Sequence, residues 1–230
     1  MEPIKEALTF DDILLLPRYS NILPSETDIS VKLSNSIKLK KPFLSSAMDT
    51  VTESKMAIQM AKEGAMGVIH RNLNIIKQSK EVKKVKRLNL QVGAAIGTSR
   101  EDIVRAKTLI DTGVDLLVID TAHGHSEKVL KILDKVKKIN NKISICVGNI
   151  ATGEAAKKLF NAGANILKIG IGPGSICTTR MVAGIGVPQV TAIMEVKRAL
   201  KNKKVKLISD GGIKFSGDII KALGAGADAI

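Results

Sequence analysis

From residue 42 onward the chain alternates short apolar, often β-branched runs with longer stretches whose apolar residues recur every three or four positions. PFLSSAMD (42–49) is followed by ESKMAIQMAKEG (53–64), AMGVIHR (65–71) by IIKQSKEVKKVKR (75–87), and QVGAAIG (91–97) by EDIVRAKTLIDTG (101–113). DLLVIDTA (115–122) then precedes SEKVLKILDKVKKIN (126–140), and ISICVGN (143–149) precedes EAAKKLFNAG (154–163). ANILKIG (164–170) leads through a long glycine-rich loop to QVTAIMEVKRAL (189–200), and KLISDGG (206–212) leads to SGDIIKALGAG (216–226). A continuous apolar run such as LLVI fits a strand covered on both sides, while Val129, Leu133, Val136 and Ile139 share one helical face. Several of the helical stretches end in glycine, which supplies a C-cap.

These are seven βα units, and the final ADAI (227–230) reads as the start of an eighth strand. The number predicts an α/β chain folded as a (β/α)₈ TIM barrel; a doubly wound sheet is the architectural rival, and only the count ranks it second. One domain is expected over 1–230, with 1–41 as an opening segment that lacks βα alternation and carries short strands of its own. Residues 88–90 form a short seam between a basic helix and the next strand, as in a compact αβ loop. With so little of strand eight, the barrel is expected not to close properly.

Composition changes this picture little. At 230 residues a single domain buries roughly 70% or more of its extended-chain surface. Four Phe, one Tyr and no Trp leave the core to Ile, Leu, Val, Ala and Met, and leave few rings for stacking nucleobases. The net charge of +14 invites a polyanion, but most lysines sit in helical patterns such as EVKKVKR, where they alternate with inward-facing Val or Ile. Nucleic acid is therefore an unfavoured partner, and the positive field favours small anions such as nucleotides. No apolar run approaches the ~20 residues of a membrane span, and two cysteines make no disulfide framework. A soluble cytoplasmic protein is expected.

A barrel of this kind keeps its chemistry at the C-terminal ends of its strands. Those ends read SSAMD, IHRN, IDTAHGHS, CVGN, GIGPGSICTTR and SDGG, polar groups that are costly to bury unpaired. Cys177 follows glycines at 170, 172 and 174, which let main-chain N–H and C=O groups approach a phosphate, a cation or both. A nucleophilic thiolate needs a lowered pKa, for which Arg180 and Lys168 are expected to supply positive potential. The plainer reading, a small buried apolar residue, is assigned to Cys146 inside ISICVGN. Asp210 is either a turn residue or an acceptor for two sugar hydroxyls, and Asp120 either caps a helix or meets a second ribose. His123 and His125 have no further ligands nearby in sequence, which argues against a metal site. No GxGxxG fingerprint opens a βα turn, so a dinucleotide would bind without a Rossmann module.

Taken together, LTFDDILLLP, SSAMDTVTE, GVIHRN, QVGAAIG, DTAHGHS, CVGNIAT, GIGPGSICTTR and SDGGI, in this order, resemble the inosine monophosphate dehydrogenase family over nearly the whole chain. Guanosine monophosphate reductases share the barrel and a similar cysteine loop, but AHGHS favours the dehydrogenase. The resemblance implies oxidation of IMP to XMP by NAD⁺ and water, on the way to guanine nucleotides. Cys177 would attack C2 of the purine, hydride would leave to the nicotinamide, and the thioimidate would be hydrolysed, with Thr179 beside the reacting centre. It implies Ser175, Gly211 and Gly212 at the substrate phosphate, Asp210 at its ribose, and Ser46 and Met48 near the purine and sugar. On the cofactor side it implies Asp120, Thr121, Ala122, Asn149, Lys168, Gly170, Ile171 and Gly172. The carbonyls of Gly172, Gly174 and Cys177 would hold a monovalent cation such as K⁺, and the assembly would be a homotetramer.

Two departures qualify the resemblance. The family's pair of regulatory cystathionine-β-synthase-type modules is missing at the 88–90 seam, which implies intact catalysis without nucleotide regulation. The family's second phosphate-binding strand, and the mobile flap that carries an arginine base for hydrolysis, have no counterpart in the 230 residues. Little or no turnover is expected of this piece alone.

Overall fold

A computed structural model describes residues 6–201 and 203–230. Seven parallel strands follow one another in chain order: β3 (Leu44–Ser45), β4 (Met66–Ile69), β5 (Gly93–Ile96), β6 (Leu116–Asp120), β7 (Ser144–Ile150), β8 (Ile166–Ile169) and β9 (Lys206–Ser209). Ahead of them β1 (Val31–Lys32) and β2 (Lys38–Leu39) make a small antiparallel pair. The crossovers are α1 (Ser54–Lys62), α2 (Ile75–Lys86), α3 (Glu101–Asp111), α4 (Glu127–Ile139), α5 (Gly153–Asn161), the short α6 (Thr179–Ala183) with α7 (Gln189–Ala199), and then α8 (Ser216–Ala225).

The sheet curls until its ends meet. Ala229 bridges Ile208 of β9 in parallel, and its carbonyl accepts from the Ser209 N–H at 2.9 Å. On the far side the Leu44 N–H donates to the Ile230 carbonyl at 2.8 Å, and the Ile230 N–H donates to Pro42 at 2.9 Å. Two residues thus occupy the eighth position between β9 and β3. This corrects the expected gap at this level of the ring, and it excludes a doubly wound sheet, whose edge strands stay apart.

Strand side chains alternate between the two faces with period two. Met66, Val68, Ala95, Leu116, Val118, Cys146, Ile166, Ile208 and Ala229 fill the barrel. Their neighbours Leu117, Ile119, Ile145, Val147, Leu167 and Leu207 face outward onto Leu109, Leu133, Val136, Leu159 and Ile193 of the helices. On α4 the buried stripe is Val129, Ile132, Leu133 and Val136; Ile139, placed on that face by spacing, lies at the helix end and is partly exposed because the contact ends there.

The opening segment closes the lower mouth. Leu33, Ile37 and Leu39 join the interior cluster, and the hydroxyls of Ser34 and Ser36 meet Ser144 at the foot of β7, at 2.7 and 3.3 Å. The 88–90 seam is also at this end, between α2 and β5, where Asn89 takes a left-handed φ of 56°. Among the described residues, no helix is long and apolar enough to cross a membrane.

Leu33→Ala removes a plug side chain that is only 2% exposed, and is expected to cost roughly 2–5 kcal/mol in urea unfolding. Val104→Ala, on an exposed helix face, should stay within about 0.5 kcal/mol. Equal effects would show that Leu33 is not part of the core.

Candidate active site at the C-terminal rim

The alternation that fills the barrel continues to its upper rim. Positions 116 and 118 lead to Asp120, 166 to Lys168 and 208 to Asp210, so three charged side chains point into one space. They line a cavity of about 290 Å³ together with Ser46, Met48, Thr121, Ala122, Asn149, Gly170, Ile171, Gly172, Cys177 and Thr179. Ser175 and Gly212 line an adjoining cavity of about 430 Å³ that shares Gly172 and adds Arg180 and Lys214. Gly174 and Gly211 line neither cavity but meet at the wall, where a Cβ on Gly211 would lie 3.4 Å from the Gly174 nitrogen. Nearly every residue expected from the sequence therefore falls in two spaces that share Gly172 in their walls.

Main-chain geometry holds the rim together. Thr121 donates its N–H and its hydroxyl to the Gly148 carbonyl at 3.0 and 2.9 Å, and the Asn149 N–H returns to Thr121 at 2.8 Å. At Gly170 the chain passes so close to its neighbour that a Cβ would lie 1.9 Å from the Asp210 carbonyl, which only glycine allows. Gln189 of α7, buried and not anticipated from the sequence, donates to the Ile169 carbonyl at 2.8 Å and to the Ser209 hydroxyl at 3.1 Å. It ties the ends of β8 and β9. Below Ser46, the Thr52 hydroxyl donates to the Ser46 carbonyl at 2.6 Å, and the buried His70 meets Glu53 at 3.3 Å. Thr52, Glu53 and His70 lie in the quoted stretches SSAMDTVTE and GVIHRN, but no role was expected of them individually.

Lys168 lies 2.8 Å from Asp120 and 2.6 Å from Asp210, and the Asn149 amide donates to the same Asp210 oxygen at 2.9 Å. Burial alone would lower the Lys168 pKa, but the charges of Asp210 and Asp120 outweigh it and hold the ammonium above the ordinary lysine range. Burial likewise works against the Asp210 carboxylate, and the Lys168 charge with hydrogen bonds from Lys168 and Asn149 reverses the sign, so its pKa is lowered.

The two cysteines diverge as expected, for reasons that differ in one respect. Cys146 is buried in the barrel, where loss of hydration pushes its thiol up to about 12. Cys177 sits in the loop with Sγ 3.3 Å from the Thr179 hydroxyl. Hydrogen bonds from the Thr179 side chain and backbone lower its pKa, followed by the Gly172 backbone and the Arg180 charge. Lys168, expected to add positive potential, is not among the groups that lower it; its ammonium is held between two carboxylates.

The candidate cation ligands are neutral carbonyls of one loop, the kind of donor that replaces the hydration shell of K⁺. The Gly174 carbonyl already accepts from the Cys177 N–H at 3.2 Å, leaving its second lone pair. Among the described residues no cluster of three or more His, Cys, Asp or Glu gathers to hold a metal, and the His123 and His125 rings are 6.3 Å apart.

Residues 7–230 match the family described as the IMP dehydrogenase / GMP reductase domain. The chain belongs to this family. It is similar to the inosine-5'-monophosphate dehydrogenase of Borreliella burgdorferi, at 44% identity over 98% of this chain and 68% of that protein. Proteins of the same name from Aquifex aeolicus and Staphylococcus aureus are 35% and 36% identical, over 99% and 98% of this chain and 72% of each relative. The Aquifex alignment runs over 355 residues against 230 here, so the IMP dehydrogenase / GMP reductase relative carries a long internal stretch that this chain lacks.

Thr179→Val removes the hydroxyl that stabilises the thiolate. The midpoint of the Cys177 alkylation-rate profile is expected to move to higher pH, with labelling at pH 7 slowed roughly three- to tenfold. Cys146 should stay unlabelled in the folded protein. An unmoved Cys177 profile would remove Thr179 from the account.

Proposed function

We propose that this chain binds IMP and oxidises it to XMP with NAD⁺ and water, using Cys177 as the nucleophile. The observation that carries this reading is the shared cavity. A thiol of lowered pKa shares its cavity with two carboxylates fixed by one ammonium.

Cys177 bonds through Sγ to C2 of the purine, with Thr179 holding the sulfur as thiolate before attack. NAD⁺, when bound, would supply the hydride acceptor for C2, and the carbon would remain on Cys177 as a thioimidate. Water would then add to that carbon, the C–S bond would break and XMP would leave with the thiol restored, a step that the 230 residues alone, without the family's arginine base, are expected to run slowly if at all. Asp210 accepts the ribose hydroxyls of the substrate, and Ser46 and Met48 lie along the purine and sugar. A nucleotide phosphate would be repelled by the carboxylates. The adjoining cavity offers it Ser175 and Arg180, together with Lys214, whose ammonium lies 3.4 Å from the Asp11 carboxylate in the same wall. Gly211 and Gly212, with φ of 90° and 78°, can turn their N–H groups to the same anion.

Asp120 takes the nicotinamide ribose, with Thr121, Ala122, Asn149, Gly170, Ile171 and Gly172 around the ring. K⁺ on the carbonyls of Gly172, Gly174 and Cys177 would set the loop that carries the thiol. The stretch present in the relatives is assigned to the 88–90 seam. That seam lies at the mouth opposite the cysteine, so its absence would spare the chemistry. A homotetramer in the cytoplasm completes the proposal, and the exposed Leu14, Leu16 and Tyr19 of the opening segment give a second copy an apolar surface to cover.

Alkylation resolved by peptide mass spectrometry tests the reading. IMP is expected to suppress Cys177 labelling strongly while Cys146 stays inert, and Asp210→Ala should weaken that protection by tenfold or more, as for a lost charged hydrogen bond of about 1.5–3 kcal/mol. Protection by GMP and not by IMP would assign the chain to the reductase branch. Indifference to both nucleotides would overturn the proposal.

A further inference from the structure

Lys168 is the only cation lining the thiol-bearing cavity among the described residues, and it serves two carboxylates. Its side chain is 16% exposed, with Nζ against Oδ1 of Asp120 from β6 and Oδ2 of Asp210 beyond β9. Each carboxylate keeps its other oxygen without a hydrogen bond among the described residues, and both residues face the cavity. Two acceptors are thereby held apart from the ammonium and open to hydroxyl groups. The remaining titratable groups around Lys168 are Cys146 below it on β7 and Cys177 across the cavity. Neither adds positive charge.

We propose that Lys168 is a positioning residue: one ammonium, hydrogen-bonded to both Asp120 and Asp210, aims the two carboxylates together, so that the two hydroxyl-bearing ligands are held from a single point. This rests on the reading of the two aspartates as ribose acceptors, and it reassigns Lys168 from a cofactor contact to the shared counter-ion of both sites. Without the ammonium, two carboxylates that now touch the same nitrogen would face each other as like charges. One of the pair would then take up a proton at higher pH than either does alone. A protonated carboxyl donates where it had accepted, and it loses the partner that fixes its rotation. Lys168 would therefore act on substrate and cofactor affinity at once, and its loss would make them pH-dependent.

The test is calorimetric titration of IMP and of NAD⁺ into the wild type, Lys168→Met, Lys168→Arg and Lys168→Met/Asp120→Asn, from about pH 8 to about pH 5.5. The wild type and Lys168→Arg are expected to bind both ligands with flat pH profiles. Lys168→Met should lose affinity as pH falls, by about tenfold per unit below the raised carboxyl pKa. In the double variant one of the like charges is gone, so IMP binding should become flat again while NAD⁺ binding stays weak. A purely structural role for Lys168 would give no such rescue.

A flat profile in Lys168→Met, or a double variant no better than the single, would overturn the proposal. If Lys168→Met does not fold, the double variant decides: folding with pH-flat IMP binding supports the shared counter-ion, and failure to fold overturns it. If the wild type binds neither nucleotide, the functional reading fails by itself. Carbon-13 titration of the two carboxyls in the wild type and Lys168→Met then tests the counter-ion separately: a raised pKa in the variant supports it, and an unchanged pair overturns it.

Discussion

The period of a β-strand is the constraint on which this molecule depends. Side chains alternate faces, so once Leu116, Val118, Ile166 and Ile208 are inside the barrel, Asp120, Lys168 and Asp210 must point into the same space at its upper end. A slip of one residue in any of these strands would turn its apolar residue to the helices and its charged residue out of the cavity. Core packing and site geometry are consequently fixed by one choice of register, which the paired strands record residue by residue.

Electrostatics then divide the rim into two territories. The carboxylates form a cluster in which two negative charges share the one ammonium of Lys168, whereas the cysteine loop has main-chain N–H groups, a threonine hydroxyl and Arg180. The same division separates hydroxyl-accepting oxygens from the cavity lined by Ser175, Arg180 and Lys214, so one nucleotide can meet acceptors at its sugar and donors at its phosphate.

Much of this was legible in the sequence because it rests on local pattern. The apolar runs placed five of the seven strands to within a residue or two, those at 42–49 and 206–212 running past β3 and β9 by four and three residues, and Cys177 stood out because glycines and threonines surround it. What the sequence hid was contact between distant positions. Lys168 looked like a source of positive potential for Cys177, yet its ammonium is engaged by residues 48 positions before it and 42 after it. The ring closure through Ala229 and Ile230, the plug formed by Leu33 and Ile37, and the brace from Gln189 depend on which elements the curled sheet brings together. Spacing along the chain carries no signal of those meetings.

The account comes down to a bond between Cys177 and a purine nucleotide in this cavity. The most direct measurement is to mix the protein with IMP and NAD⁺, quench at intervals, and follow nicotinamide reduction alongside the mass of the Cys177 peptide. The account predicts that reduced nicotinamide and a nucleotide adduct on Cys177 appear together, and that Cys177→Ser shows neither. Reduction without an adduct, an adduct on Cys146, or unchanged reduction in Cys177→Ser would contradict it.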